Sequence, residues 1–135
     1  MDNISLLLRE FLKNGGINVQ EVGNGRLSFS VNNLNFISLF NDNDPYFLRL
    51  ALPKINRDDI NISNYSDKIQ QLNRNYKVAK IVTWDDGTLW VLADIFVYSL
   101  DKADLLIKRL IQAMTDIITD YRIIESKDSN GNIQS

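Results

Sequence analysis

The chain has 135 residues, 44% hydrophobic and 24% charged, which is the composition of an ordinary globular domain rather than of a disordered chain. Its formal net charge of -2 comes from 17 acidic and 15 scattered basic side chains, and a nucleic-acid partner would need clustered Lys and Arg. Cysteine and histidine are absent, which excludes disulfides, thiolate chemistry and the commonest general base and metal ligand.

Two features of the sequence favour a cytoplasmic protein that contacts no membrane. The apolar run Leu6-Leu7-Leu8 leads at once into Arg9 and Glu10, which is not the pattern of a secretory leader. No apolar stretch reaches the roughly 18 residues that a membrane-spanning helix needs. We therefore expect neither a membrane nor a nucleic acid among the partners of this chain.

The first half of the chain predicts one helix followed by four antiparallel strands. Apolar residues recur at helical spacing from Ile4 to Leu12, and Asn14-Gly15-Gly16 supplies a left-handed stop. Four segments that alternate or run apolar then predict strands, which start at Ile17, Leu27, Leu34 and Tyr46. Gly23-Asn24-Gly25 and Asn32-Asn33 favour tight turns between the first three strands.

The second half predicts a narrow amphipathic helix, a hairpin and a long helix. Apolar side chains at positions 65, 69, 72 and 76 give the second helix one stripe, with Ser63 or Asn64 as its cap. Strands over 78–84 and 88–98 follow, joined by Asp85-Asp86-Gly87, and we expect them at the centre of the sheet. The last helix has the strongest pattern, with one apolar face from Ala103 to Tyr121.

These elements predict one domain over residues 1–125. It belongs to the α+β class and consists of an antiparallel sheet with helices packed on it, in the order α-β-β-β-β-α-β-β-α. Residues 126–135 are polar and show no periodicity, so we expect a disordered tail there.

No group of residues has the spacing of a catalytic, metal or nucleotide site. The acidic pairs lie in predicted turns or loops, where aspartate bends the backbone, at Asp42/Asp44, Asp58/Asp59 and Asp85/Asp86. The segment from Asp128 to Asn132 begins like a calcium loop, but Ile133 stands where such a loop needs glycine. We therefore predict a protein that is not an enzyme and that binds no cofactor and no metal.

The strand that ends at Tyr98 is apolar on both faces, although helices are predicted to cover only one of them. Val91, Ala93, Ile95 and Val97 can fill the covered face. The opposite row then presents aromatic side chains, which are typical anchors of protein interfaces. We predict a protein-binding surface that consists of Trp90, Phe96, Tyr98, Phe47, Arg49 and Asp94.

Asp94 and Arg49 are the unusual members of this row, because each is a charge between apolar neighbours. One alternative is an exposed sheet face with ordinary surface charges, and another is that the second helix covers the row. A third is a buried ion pair on one side of the sheet. The last is a small-molecule binder or a carboxylate-based enzyme with its site near these two residues.

A resemblance to a known protein family rests on three short segments. They are Leu72-Asn73-Arg74-Asn75-Tyr76-Lys77-Val78-Ala79-Lys80, the Asp85-Asp86-Gly87 hairpin, and the Ser99-Leu100-Asp101 entry into the last helix. Over residues 2–124 the chain resembles the YbjN-like family of bacterial sensory transduction regulators, which share the fold of type III secretion chaperones. The resemblance implies an α+β layer of helices on a sheet, frequent homodimers and no catalytic residues to transfer. The resulting hypothesis is a noncatalytic protein-interaction module, chaperone-like or regulatory, that binds a protein partner and forms a homodimer.

Overall fold

The computed structural model describes residues 3–23, 26–41, 43–98 and 101–134. Its helices and strands follow the predicted order, and they are α1 (Asn3–Asn14), β1 (Val19–Val22), β2 (Arg26–Val31), β3 (Leu34–Asn41), β4 (Asp44–Leu52), α2 (Ser66–Asn75), β5 (Ala79–Thr83), β6 (Leu89–Phe96) and α3 (Ala103–Gln134). The fold is therefore α+β, as predicted. The turn residues Asn24, Gly25 and Asp42 and the Ser99-Leu100 entry into α3 lie outside the described residues.

The six strands form one antiparallel sheet in the order β1-β2-β3-β4-β6-β5. The central position predicted for the last hairpin is right for β6, which lies between β4 and β5, and wrong for β5, which is an edge strand. Only a few residues connect α2 to β5, so the helix packs against that strand. An inner place for β5 would need another strand where α2 now lies.

One face of the sheet carries the hydrophobic core. Helices α1 and α3 pack on this face and against each other. Fully buried side chains come from both layers, including Leu8, Leu12, Phe36, Leu48, Leu50, Ile107, Met114, Ile118 and Tyr121. The rings of Phe29 and Phe36 stack within this core, with their centroids 5.3 Å apart. The helix-covered face therefore accounts for the core of the described chain.

The start of α2 differs from the prediction. A 3₁₀ turn at Ile62–Tyr65 precedes the helix, and the capping side chain is Asn61, whose Oδ1 accepts a hydrogen bond from the Ser63 backbone N at 3.2 Å. The predicted caps, Ser63 and Asn64, lie inside that turn. A 3₁₀ turn ahead of a helix moves the first free N–H groups towards the N-terminus, and the cap moves with them.

Helix α3 continues beyond the predicted domain boundary at residue 125, since its backbone is helical to Gln134. Glu125 is buried, with 7% of its surface exposed, and its Oε2 accepts hydrogen bonds from the Tyr121 hydroxyl at 2.7 Å and from the Arg57 backbone N at 3.1 Å. The boundary thus falls inside a helix, next to a buried carboxylate. That residues 126–135 contribute little to the fold stays a prediction.

The segment that ends α2 and starts β5 is held by three side chains. Asn73 Oδ1 accepts from the Ile81 backbone N at 2.8 Å, and Asn73 Nδ2 donates to the Ile81 carbonyl at 3.0 Å. Lys80 Nζ donates to the carbonyls of Asn73 and Tyr76 at the end of α2. The Tyr76 hydroxyl donates to the Asp120 carboxylate of α3, and this hydrogen bond raises the pKa of Tyr76 to about 12.

Asn73 therefore occupies the place of a neighbouring strand at the free edge of β5. We expect Asn73→Ala to lower the free energy of unfolding by about 1 to 3 kcal/mol, because it leaves the N–H and C=O of Ile81 without their partner. Hydrogen exchange of the Ile81 amide should accelerate in the same variant. Gln70→Ala, at an exposed position one turn earlier on α2, is the control, and an equal loss there would contradict the role given to Asn73.

Candidate functional site

The second face of the sheet is not covered by α1 and α3, and we call it the outer face. It contains the side chains that alternate with the core residues along each strand. Its apolar half lies on the four adjacent strands β3, β4, β6 and β5 and their ends, and its members are Ile37, Leu39, Phe47, Arg49, Ala51, Val82, Trp84, Trp90, Leu92, Asp94, Phe96 and Tyr98. Lys80 of β5 lies beside Leu92 on the same face, with its ammonium bound to carbonyls at the end of α2. The polar half of the outer face, on β1 and β2 and the start of β3, includes Gln20, Arg26, Ser28, Ser30 and Asn35.

The aromatic side chains of the apolar half contact each other, and Trp84, Phe96 and Tyr98 are exposed whereas Phe47 and Trp90 are half-buried. Phe96 is 53% exposed and Tyr98 is 74% exposed. The Phe96 ring lies 5.7 Å from the ring of Phe47 and 6.2 Å from that of Tyr98, measured between centroids. At the other end of β6, the rings of Trp84 and Trp90 meet edge to face at 5.9 Å. Ring contacts at these distances stabilise aromatic pairs by about 0.5 to 1.5 kcal/mol.

Helix α2 leaves this surface open. It packs against β5 and α3, and its buried residues Ile69 and Leu72 belong to the core cluster. Phe96 and Tyr98 remain more than half exposed. Helix α2 therefore does not cover this end of the aromatic row.

An ion pair occupies the middle of the apolar half. Arg49 of β4 and Asp94 of β6 are cross-strand neighbours, as their predicted positions on one side of the sheet require. Arg49 Nε donates to Asp94 Oδ1 at 2.6 Å and Arg49 Nη2 to Asp94 Oδ2 at 2.8 Å. The hydrogen bond to Asp94 raises the pKa of Arg49 above its usual value. The guanidinium also lies 5.9 Å from the centroid of the Phe47 ring.

The pair is partly exposed rather than buried. The side chains of Arg49 and Asp94 are 35% and 39% exposed, and pairs at that exposure contribute about 0.2 to 1 kcal/mol to stability. The pair therefore adds little to the stability of the isolated chain.

Three cavities lie away from this ion pair. The first, of about 450 Å³, lies between α2 and β5 and is lined by Ile69 and Ile81 among others. The second, of about 470 Å³, lies beside Ile17 and Phe29, and the third, of about 560 Å³, lies beside Ile123. Arg49 and Asp94 line none of these three cavities.

The residues that the structure describes contain neither a metal-binding cluster nor a membrane-spanning helix. Among them, no cluster of three or more acidic side chains is arranged to hold a metal ion. No helix in the same ranges is long and apolar enough to cross a membrane.

The sequence-based site lacks several members that the structure adds. Ile37, Leu39, Leu92, Val82 and Trp84 share the apolar half with the six predicted residues. The signal for Ile37 and Leu39 is present in the sequence, because the segment from 34 to 40 is apolar on both faces. Their proximity to Arg49 follows only once β3 is known to pair with β4.

Comparisons with known proteins support the fold. No protein-family model and no curated protein matches the chain. A solved structure that does match is the crystal structure of YbjN from E. coli, a proposed transcription regulator. It superposes with a TM-score of 0.66, covers 87% of this chain and 90% of that chain, and shares 13% sequence identity. The predicted resemblance to YbjN is thus confirmed at the level of the fold.

Proposed function

We propose that this protein is a noncatalytic protein-interaction module of the cytoplasm, regulatory or chaperone-like, and that the apolar half of its outer face is the binding surface. One observation carries the proposal: an aliphatic and aromatic surface on four adjacent strands is left uncovered by the helices. Large contiguous apolar patches on soluble domains mark interaction sites. The regulatory role proposed for the structurally similar YbjN agrees with this function.

The surface has the residue types that dominate binding energies. Tryptophan is enriched among interface residues whose truncation costs about 2 kcal/mol or more, and Trp90 lies in the same row as Phe96. Fully burying a phenylalanine side chain contributes about 1.5 to 3 kcal/mol, and Phe96 has roughly half of that surface still to bury. Aromatic side chains have only two χ angles, so ordering them at an interface costs little conformational entropy.

The alternative of a small-molecule or carboxylate site near Asp94 has less support. Both carboxylate oxygens of Asp94 already accept hydrogen bonds from Arg49. Small-molecule and catalytic sites are concave, and neither Arg49 nor Asp94 lines any of the three cavities described above. A recognition role for the pair is therefore better supported than a catalytic role.

A photoreactive amino acid at position 96, introduced in the native cells, tests the proposal. We expect irradiation to join the chain covalently to a protein, either a second copy or a different one. The matched control is position 105 on α3, because Leu105 and Phe96 are both 53% exposed. Adducts that are absent at position 96, or no more abundant there than at position 105, would contradict the proposed binding surface.

A further inference from the structure

We infer that the protein partner is anchored at one end of the outer face by an arginine side chain, whose guanidinium lies against Trp84 and Trp90 and pairs with the carboxylate of Asp86. We call these three residues the tryptophan corner. The inference rests on the proposed function and names the chemistry that the partner brings. It follows from the geometry of the two rings, from the position of Asp86 and from the charges of the outer face.

The two indole rings enclose an open angle. Trp84 follows β5 and Trp90 lies on β6, next to each other on the outer face. Their centroids are 5.9 Å apart and their planes meet at 85°, so a flat group that enters the angle contacts both rings. Trp84 is 41% exposed, which leaves the angle open to a partner. Among aromatic side chains, tryptophan attracts a cation on its ring face most strongly.

A fixed carboxylate borders the two rings. The Trp84 backbone N donates to the Thr88 carbonyl at 2.9 Å, so these residues are cross-strand neighbours, and Thr88 shares the outer face with Trp90 two residues later. Asp86 Oδ1 accepts hydrogen bonds from the Thr88 backbone N at 3.0 Å and from Thr88 Oγ1 at 2.6 Å. The hydrogen bond from the Thr88 hydroxyl, then that from its backbone N–H, lowers the pKa of Asp86. A charged carboxylate is therefore held beside Trp84.

The negative charge at this end of the face has no close cationic partner within the described ranges. Neither Asp85 nor Asp86 forms an ion pair with a described Lys or Arg side chain. The charge of Lys54 also acts on Asp86, but its ammonium is bound to Asp58 Oδ1 at 2.7 Å. Lys80 of β5 donates to carbonyls at the end of α2. The group that complements two ring faces and this charge is a cation.

The middle of the apolar half lacks this complementarity. Both carboxylate oxygens of Asp94 already accept from Arg49, so a second cation there would meet a pair that is already neutral. Phe47 and Phe96 flank that pair and favour apolar groups. A partner segment that fits the whole surface therefore has apolar side chains along most of its length and an arginine at the tryptophan corner.

Arginine suits this corner better than lysine does. The guanidinium is planar, stacks on aromatic rings and is more weakly hydrated than an ammonium. It can also donate two parallel hydrogen bonds to a carboxylate while it remains stacked. A lysine ammonium is a compact and strongly hydrated charge, which uses less of a flat angle between two rings. We therefore assign the anchor to arginine.

Three matched peptides test the assignment. The probe is acetyl-Leu-Arg-Leu-Arg-Leu-amide. One twin has citrulline for arginine, which keeps the shape and removes the charge, and the other has lysine. The chain has two tryptophans, Trp84 and Trp90, so its tryptophan fluorescence reports on the corner alone, and calorimetry gives the dissociation constants. We expect the arginine peptide to change this fluorescence and to bind about tenfold or more tightly than the citrulline peptide. The lysine peptide should bind more weakly than the arginine peptide.

Three variants of the chain locate the effect. Asp86→Asn removes the charge and keeps an oxygen that accepts from Thr88, so it should weaken the arginine peptide about fivefold or more and leave the citrulline peptide unchanged. Trp84→Leu keeps an apolar side chain and should weaken the arginine peptide by a similar factor. Glu10→Gln is the control, because it makes the same change of net charge at an exposed position on α1, and it should alter neither peptide.

Several results would overturn the inference. They are an arginine peptide that binds no more tightly than the citrulline or lysine peptide, equal effects of Asp86→Asn and Glu10→Gln, and no binding at millimolar peptide. The crosslink at position 96 tests the proposed function separately. Adducts that Asp86→Asn reduces support the arginine anchor. Adducts that form equally with Asp86→Asn would overturn the anchor while the binding surface stands, and the absence of adducts from the unaltered chain would contradict the proposed function.

Discussion

Phe36→Ala is expected to lower the free energy of unfolding by about 3 to 5 kcal/mol, measured by urea denaturation. Phe36 lies on β3 and faces the helices, and none of its surface is exposed. Its ring stacks on Phe29 at an interplanar angle of 8°. Truncation would leave a cavity among closely packed neighbours that relax only in part, so the lost contacts are not replaced.

The matched control is Phe96→Ala, which makes the same truncation on the outer face. Because Phe96 is 53% exposed, we expect a loss of only about 1 kcal/mol in the monomer. The measurement is made at protein concentrations low enough to exclude self-association. Phe96→Ala should instead reduce binding at the outer face. Equal losses of stability at positions 36 and 96 would contradict the assignment of one face to folding and the other to recognition.

The order of the elements follows from the sequence because each one has a local signal. Gly16 has a φ of 75°, and Asn32 and Asn33 have φ of 53° and 65°, so at these two turns the residue types that favour positive φ stand where the chain adopts it. Lys54 and Lys102 also have positive φ, of 45° and 62°, and no local signal predicts those two positions. The apolar face of α3 is equally local, since residues three and four apart lie together on any helix.

The position of β5 at the edge of the sheet does not follow from the sequence. Alternating apolar residues predict a strand but not its neighbours. Here the neighbour on the free side is an amide side chain, because Asn73 reaches Ile81 from the end of α2. That contact depends on where α2 packs, which no short segment of sequence specifies.

The candidate site follows from the sequence only in part, for the same reason. Strand alternation places Arg49 and Asp94 on one side of the sheet, but their contact requires that β4 pair with β6 across 45 residues of sequence. Glu125 is a second example. It lies at the start of a polar segment, and it is buried because Tyr121 and the loop residue Arg57 donate hydrogen bonds to it.

Glu125→Ala is therefore expected to lower the melting temperature by about 3 to 10 °C. The substitution removes the acceptor for the Tyr121 hydroxyl and the Arg57 backbone N–H, at a cost of about 1 to 3 kcal/mol. Tyr121 is fully buried, so its hydroxyl cannot turn to water. Burial and then the hydrogen bond to Glu125 raise the pKa of Tyr121, which keeps the hydroxyl a donor.

Two comparison variants separate this carboxylate from the segment that follows it. Glu125→Gln keeps an oxygen that can accept from Tyr121, so it should lose less than Glu125→Ala. Deleting residues 126–135 should leave the melting temperature nearly unchanged, because that segment is polar and has no apolar periodicity with which to dock. Circular dichroism melts of the three variants decide the matter. If the deletion costs as much as Glu125→Ala, the end of α3 is itself packed against the domain, and the domain boundary at residue 125 is wrong.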